Sequence, residues 1–239
     1  DSEVYPADPM SRAINSPKGV VLEAFINQAL RMCRVSDKTK GDHLAVWSDL
    51  RTVFDKEMGA CKNSNFDFST LTASYISNFR FLSEEWVEKN RIRIFALEYE
   101  MNLKCALEGW AYAPADRKIY QLLNGSGVIS AALSMKWEGK NAREKLIERL
   151  ALAYLWQDEA LSGPNMISLM SPTSASDIGH MASFFWSIFD DTMELAHRER
   201  VLSFWNACLE INWDDRSLVL SKISMLASYV SVLGPREQA

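Results

Sequence analysis

A chain of 239 residues, 48% of them hydrophobic, has enough apolar material for a real core, in one large domain or two small ones. Its 26 basic residues are mixed along the length with 31 acidic ones for a net charge of −5, so no basic stripe is offered to a phosphate backbone and nucleic acid fits poorly as a partner. The longest apolar runs, GVISAAL and FFWSIF, are far shorter than the roughly 20 residues that span a bilayer, and the N-terminus lacks the basic-then-apolar order of a signal peptide. Four widely separated cysteines, Cys33, Cys61, Cys105 and Cys208, contain no CxxC pair, which excludes a zinc knuckle or a thioredoxin-like motif and points to free thiols in a reducing cytoplasm.

Helical periodicity runs almost without interruption from the start. Asn15 or Ser16 can cap a helix that Pro17 opens, and Leu22, Ile26, Ala29 and Cys33 then fall on one face. Val46, Trp47, Leu50, Val53 and Phe54 mark a second helix over 42–58, ended by Gly59. After the polar loop ACKNSNFD a run over 69–82 is predicted as one helix, and Ser83, followed by Glu85 and Trp86, opens another that turns near Phe95. In that helix the acids Glu84, Glu85 and Glu88 precede Lys89, Arg91 and Arg93, an order that complements the helix dipole and needs no basic site to explain it.

Tyr99, Leu103, Ala106, Leu107 and Trp110 share the face of a helix that Pro114 closes, a short helix follows through ADRKIYQLL, and NGSG at 124–127 breaks the chain. A further short helix covers 128–138. The strongest amphipathic run, NAREKLIERLALAYLWQDEA, turns Leu146, Leu150, Ala153 and Tyr154 inward and Arg143, Glu144, Lys145 and Glu148 outward, until Gly163 and Pro164 stop it. Helices over about 177–190, 193–211 and 214–233 complete the chain, the last with Val219, Ile223, Leu226, Val230 and Leu233 as its stripe. The expected fold is all-α, a single domain over 1–239 in which antiparallel helical hairpins stack as an irregular solenoid of the HEAT or TPR kind; a compact irregular helical bundle is the alternative. No exact internal repeat is present.

Chemistry-bearing motifs are sparse. Neither NGSG nor EGKNA completes a P-loop, no Gly-x-Ser-x-Gly elbow occurs, and three histidines, His43, His180 and His197, leave little for a triad. One constellation has metal-ligand spacing: Asp177-x-x-His180 and Glu194-x-x-His197, with Asp190, Glu194 and His197 on one helical face, echo the carboxylate-x-x-His halves of a di-iron bundle. Its weakness is that both halves lie within a short segment and two further buried glutamates are missing, so no catalytic, cofactor-binding or metal site is assigned. Most of the eight tryptophans fall in phase with apolar neighbours and read as core. Trp213, in INWDDRS, is the exception: two acids follow it at a helix junction, so its ring is expected to be partly exposed as a partner anchor, or else to staple the last helix.

The segments NSPKGVVLEAFINQAL, EEWVEKNRIRIF, ALEGWAYA and RVLSFWNACLE, spread over 13–211, together resemble the helical C-terminal region of large prokaryotic antiviral defence proteins, those with a STAND-type NTPase or a sirtuin-like domain upstream. The resemblance implies a bacterial antiphage sensor region that recognises a phage protein, structural or packaging, while nucleotide binding and effector chemistry reside elsewhere in a longer parent through which it could oligomerise. The absent initiator methionine fits such an excised piece, and no family catalytic residue maps onto this chain. Cofactor, nucleic acid and membrane are not expected as ligands. The net negative charge points to a partner offering apolar anchors or basic residues. A structural helical spacer and a carboxylate-histidine metal enzyme are the competing functions.

Overall fold

A computed structural model describes residues 7–137 and 140–230. Among these every regular element is helical and none is a strand, as the periodicity predicts. The chain divides into two compact units, Asp1–Ala132 and Leu133–Ala239.

The first unit contains α1 (Pro9–Asn15), α2 (Pro17–Lys38), α3 (His43–Gly59), α4 (Phe66–Ser74), α5 (Ile76–Leu82), α6 (Glu84–Ile94), α7 (Glu100–Tyr112) and α8 (Arg117–Gly125), with α9 (Val128–Ser134) crossing the boundary in sequence. Ser16 caps α2 as expected: its hydroxyl accepts from the Gly19 N–H at 2.9 Å while Pro17 takes the first helical position. The run predicted as one helix over 69–82 is two, because the chain breaks at Tyr75 between α4 and α5.

Helix α4 is the centre of this unit. Every residue from Phe66 to Ala73 is buried, including Asp67, Ser69, Thr70 and Thr72. It lies against α7 so closely that a Cβ on Gly109 would stand 1.9 Å from the Thr70 carbonyl oxygen; only glycine lets the two backbones meet. Glycine plays the same part at Gly19, where a Cβ would stand 1.6 Å from the Ala13 carbonyl oxygen and the turn from α1 into α2 could not close. Beside α4, an aromatic cluster joins α2, α3, α5 and α6: Phe25–Phe54 at 5.3 Å, Phe54–Phe79 at 5.0 Å, Trp47–Trp86 at 5.5 Å and Phe79–Trp86 at 5.3 Å between ring centroids.

The second unit contains α10 (Lys140–Leu155), α11 (Pro164–Leu169), α12 (Ala175–Ser187), α13 (Leu195–Glu210), α14 (Arg216–Ile223) and α15 (Ala227–Val230), with 3₁₀ turns at Pro172–Ser174 and Ser224–Leu226. Leu146, Leu150, Ala153 and Tyr154 are buried as predicted, with Ile178, Met181, Phe185, Val201, Phe204, Val219 and Ile223. Pro164 does more than stop a helix, since it occupies the first turn of α11. The single helix expected over 214–233 is broken by the 3₁₀ turn, and Leu233 lies outside the described residues. Tyr154 and Arg200 form a reciprocal clasp between α10 and α13: the phenol donates to the Arg200 carbonyl at 2.8 Å, the guanidinium donates to the Tyr154 carbonyl at 2.6 Å, and its carbon sits 4.1 Å from the Tyr154 ring centroid.

The Gly109 contact makes a sharp prediction. Gly109→Ala should lower stability by about 3 kcal/mol or more, because neither helix backbone can yield without disturbing the other's neighbours. Gly59→Ala, at a helix end where a Cβ meets nothing within 4 Å, should instead be neutral or add up to about 1 kcal/mol. Urea unfolding of the two variants checks both signs.

Candidate functional site

An apolar surface groove is built by the α2–α3 hairpin. The four residues Thr39–Asp42 join these helices, and Asp42 caps α3 by accepting from the Ala45 N–H at 3.0 Å. His43 then ties the turn down: Nδ1 lies 3.0 Å from Asp37 Oδ1 on α2, and Nε2 lies 3.1 Å from the Leu82 carbonyl oxygen at the end of α5. The start of α2 thus lies beside the end of α3, and between them opens an apolar groove of about 700 Å³ lined by Pro17, Val21, Leu22, Phe25 and Val53, with Lys18 and Glu57 at its wall.

Why the groove exists follows from the composition of α2, which carries two apolar stripes rather than one. Leu22, Ile26, Ala29 and Cys33 are buried, as the sequence predicts. Val21 is 68% exposed and Val35 52%, and with Met32 and the half-buried Phe25 they form a second stripe outside the core. Sequence reasoning passed over this stripe because the core stripe alone satisfies helical periodicity. The signal was present: Val21, Gln28 and Val35 recur at intervals of seven, the spacing of a helix-pairing seam.

Polar contacts fix the groove wall. Lys18 Nζ is 2.9 Å from Glu57 Oε2, and Asn65 Nδ2 donates to the same carboxylate oxygen at 3.0 Å and to the Glu57 carbonyl at 2.8 Å. Burial alone would raise the pKa of the Glu57 carboxyl, but the hydrogen bonds from Lys18 and Asn65 and the charges of Lys18 and Lys56 hold it below its ordinary value. Asn65 is the left-handed residue, φ 56°, that precedes α4. Further along the same loop, Asn102 of α7 accepts from the Asn63 N–H at 2.7 Å and donates to the Ser64 carbonyl at 2.7 Å and to Ser69 Oγ at 2.8 Å, so a polar stretch that reads as open loop is locked to the core.

The carboxylate-histidine constellation is not assembled. Asp177 accepts from Arg143 Nη2 at 2.6 Å, and His180 Nε2 lies 3.3 Å from Glu148 Oε1, so both residues pin α12 to α10. Arg143 and Glu148, expected outward, are half-buried for this purpose. Asp190 and Glu194 precede α13 instead of sharing a helical face with His197, because the helix begins only at Leu195. Asp190 accepts from the Thr192 N–H and hydroxyl, both at 2.6 Å. No group of three or more His, Cys, Asp or Glu able to hold a metal ion occurs among the described residues.

Trp213 is not the exposed anchor expected of it. It is 4% exposed, and its indole N–H donates to the Cys208 carbonyl at 2.8 Å, while the Asp214 N–H that follows donates to the Pro172 carbonyl. The Cys208 carbonyl in the last turn of α13 needs a donor, and the indole supplies it by folding back, which draws the ring inside. A sealed ring offers a partner no surface. The exposed tryptophan is Trp186, at 51%, next to the buried Phe185 on α12.

All four thiols are buried. Burial raises each above its ordinary value, Cys105 and Cys208 to about 12, with Asp37 adding to the effect at Cys33. A raised pKa keeps a thiol protonated and inert, so iodoacetamide at pH 8 should label none of the four in the native protein and all four after unfolding in urea, read by intact mass.

No known protein family, no curated protein and no solved structure matches this chain.

Proposed function

We propose that this chain is a protein-binding helical module, the sensor region of an antiphage defence protein, and that it recognises a phage structural or packaging protein through the α2–α3 groove. The observation that carries the reading is the second apolar stripe of α2. A solvated surface helix has one apolar face, directed at the core, and a second face that leaves Val21 68% exposed beside Val53 at 41% is a cost to solubility unless something covers it. Helix-in-groove recognition uses such a surface: apolar anchors spaced along one face, polar residues at the rim and a floor held rigid from below. The floor here is rigid, since the aromatic cluster lies under it and Glu57, Asn65 and Ser16 tie its walls to α4. The stacked-hairpin arrangement belongs to the same reading, with α2 and α3 as one exposed pair.

Binding of purified phage capsid, portal and packaging proteins to the chain and to its Val21→Asp/Val53→Asp variant tests this. At least one should bind the wild-type chain, and the variant should bind it more weakly by at least tenfold while keeping the same helical circular dichroism. Absence of binding across the panel, or binding that the double variant leaves unchanged, overturns the assignment.

A further inference from the structure

A cavity of about 210 Å³ opens in the first unit where α3 and α6 end and the chain turns into α7. Met58, Ile92 and Leu97 line it with apolar side chains, and Lys62, Arg93 and Glu98 line it with charged ones. Both rims are preset. On one side the Cys61 N–H donates to the Met58 carbonyl at 3.2 Å and the Lys62 N–H to the Ala60 carbonyl at 2.9 Å, and the next residue, Asn63, is held by Asn102. On the other the Tyr99 N–H donates to the Ala96 carbonyl at 2.7 Å, closing a turn in which Ala96 has φ 42°. That is a left-handed conformation which glycine takes more easily, and Ala96 itself lines the cavity.

We propose that this cavity binds a small zwitterion with an apolar tail, a free apolar α-amino acid. The site shares no lining residue with the α2–α3 groove. Three exposed side chains of both charge signs border one small space, and among the described residues none of them is in an ion pair. Arg93 makes one hydrogen bond, to the neutral Asn90 Oδ1 at 3.3 Å, while the Lys62 ammonium, the Glu98 carboxylate and the Tyr99 hydroxyl have no side-chain partner there. A carboxylate alone would meet Glu98, and an amine alone would meet Lys62 and Arg93. A neutral apolar molecule would displace water from all three charges and replace none of its hydrogen bonds. An α-amino acid brings each its complement: ammonium for Glu98, carboxylate for Lys62, Arg93 and the Tyr99 hydroxyl, and an apolar side chain for Met58, Ile92 and Leu97. Size agrees, since the volume equals that of roughly seven waters. It falls below the roughly 300 Å³ at which pockets for drug-sized ligands begin, which admits a molecule the size of leucine and excludes a peptide helix.

Isothermal titration calorimetry of the full chain with L-leucine, L-methionine and L-phenylalanine, and with the deaminated acid and the decarboxylated amine of each, tests this. At least one amino acid should bind with a Kd below about 1 mM and about fivefold or more tighter than its own acid and amine. Glu98→Gln should weaken that amino acid about fivefold and leave its acid no weaker. Lys62→Gln/Arg93→Gln should weaken the amino acid and the acid alike and leave the amine no weaker, with helical circular dichroism unchanged in both variants. No saturable binding of any of the three amino acids overturns the proposal. So does an acid or amine that matches its amino acid, or an amino-acid affinity that the two variants leave unchanged.

Discussion

The contact between the Gly109 Cα and the Thr70 carbonyl is the constraint from which the first unit follows. By letting two helix backbones touch, it draws α4 inside on every side, and a helix buried on every side cannot leave its polar side chains to water. Most are met by a partner, while Thr72 Oγ1 is left without a hydrogen bond among the described residues. Asp67 takes the Ser16 hydroxyl at 2.6 Å and the Arg12 guanidinium at 3.3 Å; Ser69 takes Asn102; Thr70 donates to the Phe66 carbonyl of its own helix. Those neighbours are the residues that fix how α1, α2 and the 60–65 loop are placed. The groove at the start of α2 is thus a surface consequence of an interior contact.

The capped start of α2 acquires a reason in this arrangement. Ser16 is a cap that sequence alone identifies, but its hydroxyl also donates to Asp67 while accepting from Gly19, so one side chain both begins the helix and joins it to α4. A carboxylate buried to 4% exposure calls for such partners, because an unmet charge at that depth would cost several kcal/mol. The same economy appears in the second unit, where Arg200 and Tyr154 satisfy each other's backbone carbonyls across two helices.

What could be read in the sequence was what local chemistry decides. The caps at Ser16 and Ser83, the turn at Phe95 and the buried stripe of α2 all depend on residues a few positions apart, and all are where the periodicity puts them. Features set by distant partners were illegible. The segment around Asp67 reads as polar loop until Ser16, Arg12 and Asn102 are brought to it, and the break at Tyr75 carries neither glycine nor proline; its hydroxyl is fixed by Glu23 from α2. Trp213 and Trp186 exchanged roles because the phase of a helix predicts which face is inward, not whether an indole beyond a helix end folds back on a carbonyl. The α2 groove lay between these cases, visible in the spacing of Val21, Gln28 and Val35 but indistinguishable from a second core stripe without the packing.

The ion pair at the groove wall gives the surface groove and the interior a common member. Lys18 shares the Glu57 carboxylate with Asn65, and Asn65 is the left-handed residue from which α4 starts. Whatever draws Lys18 away returns the full Glu57 carboxylate to Asn65 and so changes the restraint on the α4 entry. Linkage makes the effect reciprocal: whatever tightens or loosens that entry alters the Lys18–Glu57 pair by the same free energy, so the surface of the hairpin and the state of the buried helix are coupled.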